Sequence, residues 1–540
     1  MTPITQPSAE ARRFDVIVIG SGIGGLTTAS LLAQLAGKRV LVLERHYKLG
    51  GFTHTFTRRG YTWDPGLHYV GGMQPGATGR RLFDLVTRRG VDWRAMPEHF
   101  DRFIYPDLTF AVPNDRARYE ADLCAAFPHE AAAIRAYFAD VMRAGGWFRR
   151  RFMGKTLPAP FGALLAWPGR GLALQTTQSV LDHRFRDPRL KALLASQWGD
   201  YGLPPRFSAF VIHAMIVQHY FDGGYYPVGG ARVIADAIVP IITAAGGDCR
   251  VNHEVTAILH KSGRAHGVRV HVKHGDTHDV QEFYAPLIVS DAGAATTYLR
   301  LLDPALNLPE QRTVQAAPRP DSVVNLYVGF KGSPTSLGVS GENLWIFEGY
   351  DHGALYAARN DLAEGKAYAA FVSFGSLRDP HATQHTAQIV TMIDPALFDA
   401  WRDRPWKRRG DDYEALKATI SAALLDLVDR RVPGFRDLVA YHELSTPLSV
   451  ENFLGHPHGA IYGLPATPEH FRRGLLGVRS SIDGLLLTGT DVATLGIMGA
   501  LMGGVTTAAT VLGPTGFPKI FGAAHRYATT AQASPQPVLA

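Results

Sequence analysis

The stretch Phe14-Asp15-Val16-Ile17-Val18-Ile19-Gly20-Ser21-Gly22-Ile23-Gly24-Gly25 decides the fold of this chain. Its first half is a short β-branched run, which is typical of a strand buried on both faces of a parallel sheet. Its second half is a G-x-G-x-x-G turn, and small and apolar residues at helical spacing follow it over 26–33. A second apolar run over 39–43 ends in the acid Glu44. This order of strand, turn, helix, strand and acid predicts a parallel βαβ unit.

The glycines and the acid of this unit have separate roles. Gly20 permits the sharp turn, Gly22 lets a pyrophosphate approach the backbone, and Gly25 lets the helix pack close to the strand. The helix N-terminus offers free N–H donors and the positive end of its dipole to phosphates. Glu44, 24 positions after Gly20, is placed to accept hydrogen bonds from ribose hydroxyls. The unit predicts a Rossmann-type dinucleotide site, whose candidate residues are Gly20, Gly22, Ile23, Gly24, Gly25 and Glu44.

A second glycine motif follows the acid and favours FAD over NAD. The chain continues from Arg45 to Gly50-Gly51. A nicotinamide dehydrogenase normally enters the next helix at this point. The glycine pair lets another length of backbone approach a long cofactor. We therefore add Arg45, Gly50 and Gly51 to the candidate FAD-binding residues.

Composition and charge narrow the class of protein. The 540 residues suffice for two or three domains, and 46% hydrophobic with 19% charged residues is the balance of a folded enzyme. Two cysteines exclude a disulfide framework and a redox-active Cys-x-x-Cys pair, which favours a reducing, cytoplasmic setting. The 22 histidines show no metal-ligand spacing, so no metal site is predicted. The apolar stretch 484–513 is expected to form a buried strand, a turn and a buried helix rather than a membrane span.

The net charge of +7 raises the question of an anionic partner. The basic residues occur as short, scattered pairs without a recognition module, so no nucleic acid is expected. Residues 145–175 interleave aromatic, aliphatic and arginine side chains, including Trp147, Phe152 and Trp167. This pattern fits peripheral docking on the inner face of a membrane. A lid over a substrate channel is an equally good interpretation, and nothing in the sequence sets the oligomeric state.

Further along the chain, Gly60-Tyr61-Thr62-Trp63-Asp64-Pro65-Gly66-Leu67-His68-Tyr69-Val70-Gly71 and Tyr226-Pro227-Val228-Gly229-Gly230 carry a family resemblance. With Leu49-Gly50-Gly51, they resemble the FAD-dependent family of phytoene desaturases, carotenoid isomerases and retinol saturases. The resemblance runs in motif order from Phe14 to about Leu512. It implies an α/β fold with a Rossmann-type, GR2-like FAD-binding domain and a discontinuous α+β substrate-binding domain.

The resemblance also implies domain limits and further cofactor contacts. The FAD-binding domain would comprise 10–75, 225–300 and 470–520, and the substrate-binding domain with its lid 76–224 and 301–469. A frayed tail is expected over 523–540. Val255 would lie beside the adenine, and a C-terminal strand would deliver Asp491 toward the ribityl or phosphate region. The remaining contacts implied by the resemblance are Gly489 and, in a helix from about Gly496, Ile497 and Met498.

The expected activity is flavin-mediated desaturation or saturation of carbon–carbon double bonds in a long apolar isoprenoid or polyene, such as a carotenoid or retinoid. A nicotinamide or another external electron partner would visit the flavin only transiently, because no second G-x-G-x-x-G unit is present. The alternatives are a redox-neutral isomerase or hydratase, an amine oxidase, and a flavin-binding carrier without catalysis. His68 and Tyr69 are the candidate proton-handling residues. A structural hydrogen bond to backbone or cofactor is the alternative for His68.

Overall fold

A computed structural model of the chain describes residues 14–154, 159–275, 277–473 and 476–532. Nineteen strands run through these residues. In chain order they are β1 Val16–Ile19, β2 Val40–Leu43, β3 Phe56–Arg58, β4 Tyr61–Trp63, β5 Trp93–Ala95, β6 His99–Ile104, β7 Thr109–Pro113, β8 Tyr225–Pro227, β9 Asp248–Arg250, β10 His253–Lys261, β11 Arg264–His274, β12 Thr277–Tyr284, β13 Ile288–Ser290, β14 Ser322–Phe330, β15 Asn343–Phe347, β16 Ala369–Ser373, β17 Thr386–Ile393, β18 Val439–Ser445 and β19 Leu485–Leu487.

The same residues contain twenty α-helices, besides short 3₁₀ turns. In chain order they are α1 Ile23–Ala36, α2 Thr78–Val86, α3 Arg116–Ala126, α4 Ala131–Gly154, α5 Ala159–Leu165, α6 Arg170–Ala173, α7 Thr177–Arg184, α8 Pro188–Ala195, α9 Phe210–His219, α10 Val233–Ala244, α11 Ala294–Leu299, α12 Pro309–Gln315, α13 His352–Ala357, α14 Gly375–Arg378, α15 Asp411–Arg431, α16 Phe435–Leu438, α17 Pro447–Leu454, α18 Pro468–Arg473, α19 Gly496–Leu512 and α20 Gly516–Gln532.

A five-stranded parallel sheet carries the predicted βαβ unit. Its order is β19–β13–β1–β2–β9, with β1 at the centre. Helix α1 joins β1 to β2 and packs against α10 and α19. The side chains of β1 and β2 are buried on both faces, which explains their uninterrupted apolar sequence. The βαβ unit is therefore confirmed, and the sheet gathers strands from three distant parts of the chain.

A seven-stranded sheet forms the second layer. Its order is β18–β14–β17–β16–β15–β6–β7, and only the β15–β6 neighbours run parallel within it. Helix α15 packs on this sheet, and their apolar side chains form one core. Helices α4 and α9 pack together in an aromatic core that includes the fully buried Trp147. The strands β10–β11–β12 form a separate antiparallel sheet.

The C-terminal segment agrees with the sequence up to residue 512 and differs beyond it. Residues 484–513 form the buried strand β19, a turn and helix α19, as expected. No helix within the described ranges is long and apolar enough to cross a membrane. Helix α20 continues to Gln532, where the sequence predicts a frayed tail from 523. Residues 533–540 lie outside the described residues.

The contact between α19 and the turn after β19 leaves no room for a side chain at Gly503. A Cβ added there would overlap the carbonyl oxygen of Gly489, which is backbone and cannot rotate away. We expect Gly503→Ala to reduce the free energy of unfolding by about 1–3 kcal/mol, the usual range for overpacking. The measurement is thermal unfolding of FAD-saturated protein.

Gly171→Ala is the matched control for this substitution. Gly171 also lies in a helix, α6, but a Cβ there would meet nothing within 4 Å. Its unfolding midpoint should stay the same or rise slightly. Equal midpoints for both variants would contradict the close contact between α19 and the turn after β19.

Candidate cofactor and substrate site

One cavity of about 840 Å³ is lined by both large sheets. One part of its wall is backbone: the turn Ile19–Gly24 after β1, and Gly50–Gly51. Another part is aromatic and comprises Trp198, Trp345, Phe347, Tyr356, Phe371 and Tyr462. The cavity therefore joins a region suited to a dinucleotide with a region suited to an apolar molecule.

The Asp291 carboxylate lies against the glycine turn. The sequence motifs do not predict a role for this residue. A Cβ on Gly22 would lie 2.5 Å from the Asp291 carboxylate, and a Cβ on Gly24 would lie 2.5 Å from Gly489 Cα. A Cβ on Gly25 would lie 2.5 Å from the Gly20 carbonyl oxygen. These glycines are thus required by packing inside the chain, in addition to any approach by a ligand.

Asp291 follows β13, so parallel pairing brings it beside the end of β1. Its carboxylate accepts hydrogen bonds from the N–H groups of Gly22 and Gly25 at the start of α1. Burial, followed by the nearby charges of Glu44 and Asp491, raises the pKa of Asp291 to about 7. The signal in the sequence is an acid two positions after the short apolar run 287–289.

Glu44 is held rigidly at the end of β2. One carboxylate oxygen accepts hydrogen bonds from Ser21 N at 3.0 Å and Ser21 Oγ at 2.7 Å, and the other from His46 N at 2.8 Å. Glu44 lines the cavity at the position that the βαβ motif predicts for an acceptor of ribose hydroxyls. Its hydrogen bonds to Ser21 tie it to the glycine turn.

The remaining candidate residues divide into two groups. Those that line the cavity are Gly20, Gly22, Ile23, Gly24, Arg45, Gly50, Gly51, Val255, Ile497 and His68. Arg45 is further fixed by an ion pair with Glu254 at 3.1 Å and a hydrogen bond to Glu451 O at 3.1 Å. Those that lie behind the cavity wall are Gly25, Gly489, Asp491, Met498 and Tyr69.

The expectation that Asp491 points toward a cofactor differs from the structure. Its carboxylate accepts hydrogen bonds from Ala294 N at 2.7 Å and Leu464 N at 3.1 Å, so it joins two loops behind the wall. Its neighbour Thr490 lines the cavity instead. Met498 likewise packs inward, since a Cβ on Gly79 would lie 2.6 Å from Met498 Cε.

The two segments that carry the family resemblance, 60–71 and 226–230, contact each other. The Asp64 carboxylate accepts hydrogen bonds from Tyr226 and, at 3.1 Å, from Ala231 N just before α10. Val70 pairs with Tyr225. Asp64 is therefore a buried structural acceptor that joins these two segments.

His68 and Tyr69 lie on opposite sides of the wall. His68 lines the cavity, with its ring 5.0 Å from that of Phe371. Among the described residues its Nδ1 has no hydrogen-bond partner. Burial and the nearby Arg378 guanidinium lower the pKa of His68 to about 3, so the ring is neutral near pH 7. Tyr69 instead packs inward, with its ring stacked on Tyr220 at 4.4 Å.

Asp200, which the motif analysis also missed, lines the cavity beside the aromatic wall. Tyr69 Oη lies 3.0 Å from its carboxylate and 3.1 Å from that of the buried Asp101. Burial, together with the charge of Asp101, raises the pKa of Asp200 to about 8. The sequence offers only a weak signal for Asp200, a single acid in the otherwise uncharged stretch 198–202.

The wall suits FAD in its donor set and its shape. The start of α1 and Gly50–Gly51 present backbone, and Glu44 presents an acceptor at the end of β2. Helix α19 begins after Leu495, whose apolar side chain cannot accept hydrogen bonds from the first N–H groups of the helix. A Cβ on Gly496 would meet no atom of the described residues within 4 Å, so the start of the helix is open. Two helix N-termini at one elongated cavity fit an anionic pyrophosphate and a flavin ring that gains negative charge on reduction.

Comparisons with known proteins agree with this site. Residues 23–380 match the family model described as flavin containing amine oxidoreductase. The all-trans-retinol 13,14-reductase of Rattus norvegicus is 32% identical, over 93% of this chain and 86% of its own length. Prolycopene isomerase 2 of an Oncidium hybrid cultivar is 26% identical, over 94% of this chain and 86% of its own length.

Solved structures share the fold at low sequence identity. An oxidoreductase from Methanosarcina mazei has a TM-score of 0.61 at 16% identity, covering 92% of this chain and 99% of its own. A putrescine oxidase has a TM-score of 0.60 at 17% identity, covering 93% and 99%. The fold is thus the expected α/β architecture with a Rossmann-like FAD-binding sheet. The chain belongs to the flavin-containing amine oxidoreductase family, as an FAD-dependent oxidoreductase related to the all-trans-retinol 13,14-reductases.

Proposed function

We propose that this flavoenzyme acts on carbon–carbon double bonds of a long apolar polyene, with a retinoid as the first candidate and a carotenoid as the second. The observation that carries the proposal is the continuity of the cavity. The same enclosed space touches the glycine turn and a wall of aromatic rings. The relatedness to retinol reductases and prolycopene isomerases supports a polyene as the substrate.

The residues of this chain bind the cofactor and orient the substrate. The glycine turn and Gly50–Gly51 would hold the pyrophosphate, Glu44 would accept from the ribose, and the start of α19 would face the flavin. When bound, FAD supplies hydride transfer to or from the polyene. The rings of Trp198, Phe371 and their neighbours exclude water from an extended apolar chain. An external electron donor or acceptor, such as a nicotinamide, would have to reach the flavin transiently.

Redox-neutral isomerisation or hydration is the second candidate, supported by the 26% identity with prolycopene isomerases. The identity with retinol reductases is higher, at 32% over a similar length, and favours a net redox reaction. The two reactions differ in stoichiometry. An isomerase would change no oxidation state of its substrate, whereas a reductase consumes one two-electron donor for each double bond.

We further propose that the enzyme works in the cytoplasm while bound to the inner face of an anionic membrane. Phe161, Leu164 and Trp167 are 64%, 72% and 69% exposed on and after α5. Trp167 shares a shallow surface pocket with Arg170, Arg206 and Phe207. Arginines beside exposed apolar side chains suit an anionic lipid surface.

The position of this exposed patch relative to the cavity also supports membrane docking. The ring of Phe207 lies 6.1 Å from that of Tyr356, which lines the cavity. An apolar substrate could thus pass between membrane and cavity over a short distance. The sequence pattern suggests that Trp147 also docks on the membrane. It is instead fully buried in the aromatic core around α4, so it takes no part in docking.

The reaction is tested with FAD-loaded protein, dithionite as reductant and all-trans-retinol as substrate. We expect a product that has gained two hydrogen atoms, with one equivalent of dithionite consumed for each molecule formed. Mass spectrometry and reductant titration measure both quantities. A product of unchanged mass, formed without consumption of dithionite, would favour the isomerase. A hydrated product would favour the hydratase, and no conversion of any polyene would overturn the proposal.

Glu44→Gln should weaken FAD binding. The amide nitrogen of glutamine cannot accept, so the N–H of His46 or the donors of Ser21 lose their partner. The amide nitrogen likewise cannot accept from a ribose hydroxyl of FAD, and a lost acceptor of this kind costs about 1–3 kcal/mol, or roughly 5- to 150-fold in the dissociation constant of FAD. Quenching of flavin fluorescence measures that constant. Asp84→Asn, which breaks an ion pair with Arg80 in α2, is the control and should leave it unchanged. Equal constants for both variants would refute the role of Glu44.

The membrane proposal is tested by replacing Phe161, Leu164 and Trp167 together with serine. Burying each of these side chains contributes about 1.5–3 kcal/mol, so binding to phosphatidylglycerol vesicles should fall at least about tenfold. Co-sedimentation measures the bound fraction. Val280→Ser, an exposed residue of β12, is the matched control and should bind as the wild type does. Undiminished binding of the triple variant, or wild-type protein that does not bind these vesicles, would contradict the proposal.

A further inference from the structure

The phenol of Tyr69 lies between two buried carboxyl groups. Its Oη is 3.1 Å from Asp101 Oδ2 and 3.0 Å from Asp200 Oδ2. The phenol of Tyr220 also hydrogen-bonds to Asp200. The two contacts of the Tyr69 phenol need two hydrogen atoms, and that phenol supplies only one. One of the carboxyl groups must therefore carry a proton and donate it to a phenol oxygen.

The partners of Asp101 mark it as the anionic member of the pair. Asn343 Nδ2 donates to Asp101 Oδ1 at 2.9 Å, and Gln197 Nε2 donates to Oδ2 at 2.8 Å. The Arg378 guanidinium donates to the Asn343 carbonyl oxygen, which fixes the amide with its nitrogen toward Asp101. Donors of this kind stabilise a carboxylate. The hydrogen bonds described for Asp200 come from phenols alone.

The burial of the two carboxyl groups agrees with this assignment. Burial raises the pKa of both acids, to about 6 for Asp101 and about 8 for Asp200. The negative charge of Asp101 is the second cause of the shift at Asp200. The proton therefore resides on Asp200 near neutral pH, and the charge resides on Asp101.

Only one of these two acids is in contact with the cavity. Asp200 lines it, next to Trp198 and Gly199, while Asp101 is fully buried behind the wall. His68 also lines the cavity, but its pKa lies near 3. Its ring is therefore neutral near pH 7 and cannot serve as the acid. Asp200 thus offers an acidic proton at the aromatic part of the cavity wall, where an apolar substrate would lie.

We propose that Asp200 is the catalytic acid of this enzyme, with Tyr69 and Asp101 as positioning residues that keep it protonated. This inference rests on the proposed function and assigns its direction as saturation. One carbon of the double bond takes a proton from Asp200, and the neighbouring carbon takes the hydride that reduced FAD supplies. The π electrons form the new bond to the proton. Asp200 is left as a carboxylate and regains its proton from solvent, and an external two-electron donor reduces FAD again.

The other titratable groups around Asp200 do not titrate near its pKa. They are the phenols of Tyr69, Tyr201, Tyr220 and Tyr462, and burial raises the pKa of each further above the ordinary value of 10. Arg378, near Asp101, remains a cation, with a pKa of about 10. Asp291, at the cofactor end of the same cavity, has a pKa of about 7, so it is the shift of the profile in Asp101→Asn that assigns a change in activity to the pair of carboxyl groups.

Infrared spectroscopy tests the protonation state without relying on turnover. Difference spectra between wild type and Asp200→Asn at pH 6.5 should contain the C=O stretch of one carboxylic acid. In the wild type that band should be lost as the pH rises through about 8. In Asp101→Asn the band should remain but titrate at lower pH, because the neighbouring negative charge is gone. Absence of the band from the difference spectra would overturn the assignment of the proton.

Steady-state kinetics test the catalytic role with dithionite-reduced, FAD-loaded protein and all-trans-retinol. Asp200→Asn should lower kcat about 10²–10⁴-fold, the usual contribution of a general acid, with little change in KM. Asp200→Glu should restore part of kcat. Wild-type kcat should fall as the pH rises through about 8, and in Asp101→Asn this fall should occur at lower pH. A flavin absorption spectrum like that of the wild type confirms that each variant is folded.

The outcomes separate this inference from the proposed function. Wild-type turnover with an equally active Asp200→Asn would overturn Asp200 as the acid and leave the proposed function intact. A wild type that saturates no polyene would overturn the proposed function and the catalytic role together, and the infrared band would still decide where the proton resides. If Asp200→Asn fails to fold, the pH shift in Asp101→Asn decides, and an unshifted profile would overturn the inference.

Discussion

The structure depends on close contact between backbones around the start of α1. The glycine turn lies on the Asp291 carboxylate and on Gly489, and α19 contacts Gly489 through Gly503 and the turn through Gly504. In α19, Gly504 is so close to Gly24 that a Cβ would lie 2.6 Å from the Gly24 carbonyl oxygen. The contact brings together the ends of β1, β13 and β19. The contact thereby fixes the position of the cavity wall that the glycine turn forms.

The same contact sets the electrostatics of the cavity. Asp291 and Glu44 both lie near the N-terminus of α1, whose dipole favours negative charge. Burial holds the pKa of Asp291 near 7, so only part of its charge is present at neutral pH. The wall is therefore less negative than two carboxylates would suggest, which suits an anionic pyrophosphate. Helix α19 contributes a second N-terminus to the same cavity, since Gly496 and Ile497 line it.

Local features of the sequence predict the cofactor end of the molecule well. The strand, the turn and Glu44 lie within 31 consecutive residues, and their geometry follows from neighbouring backbone. The direction of side chains across longer distances is not predictable in this way. Tyr69 follows His68 directly but packs behind the wall, because Tyr220, on which its ring stacks, is supplied by a segment far along the chain. Asp491 likewise follows the expected strand, yet the backbone of Ala294 and Leu464 draws it behind the wall.

The strand order of the parallel sheet has a consequence for synthesis on the ribosome. The central strand β1 pairs with β13 at Ile288 and beyond, and β19, the outer neighbour of β13, starts at Leu485. The sheet cannot close until nearly nine-tenths of the chain has been made. One edge of β1 has no partner until β13 is made, and the outer edge of β13 has none until β19 is made, the condition in which partly folded chains aggregate. The topology therefore favours slow assembly of this sheet during translation.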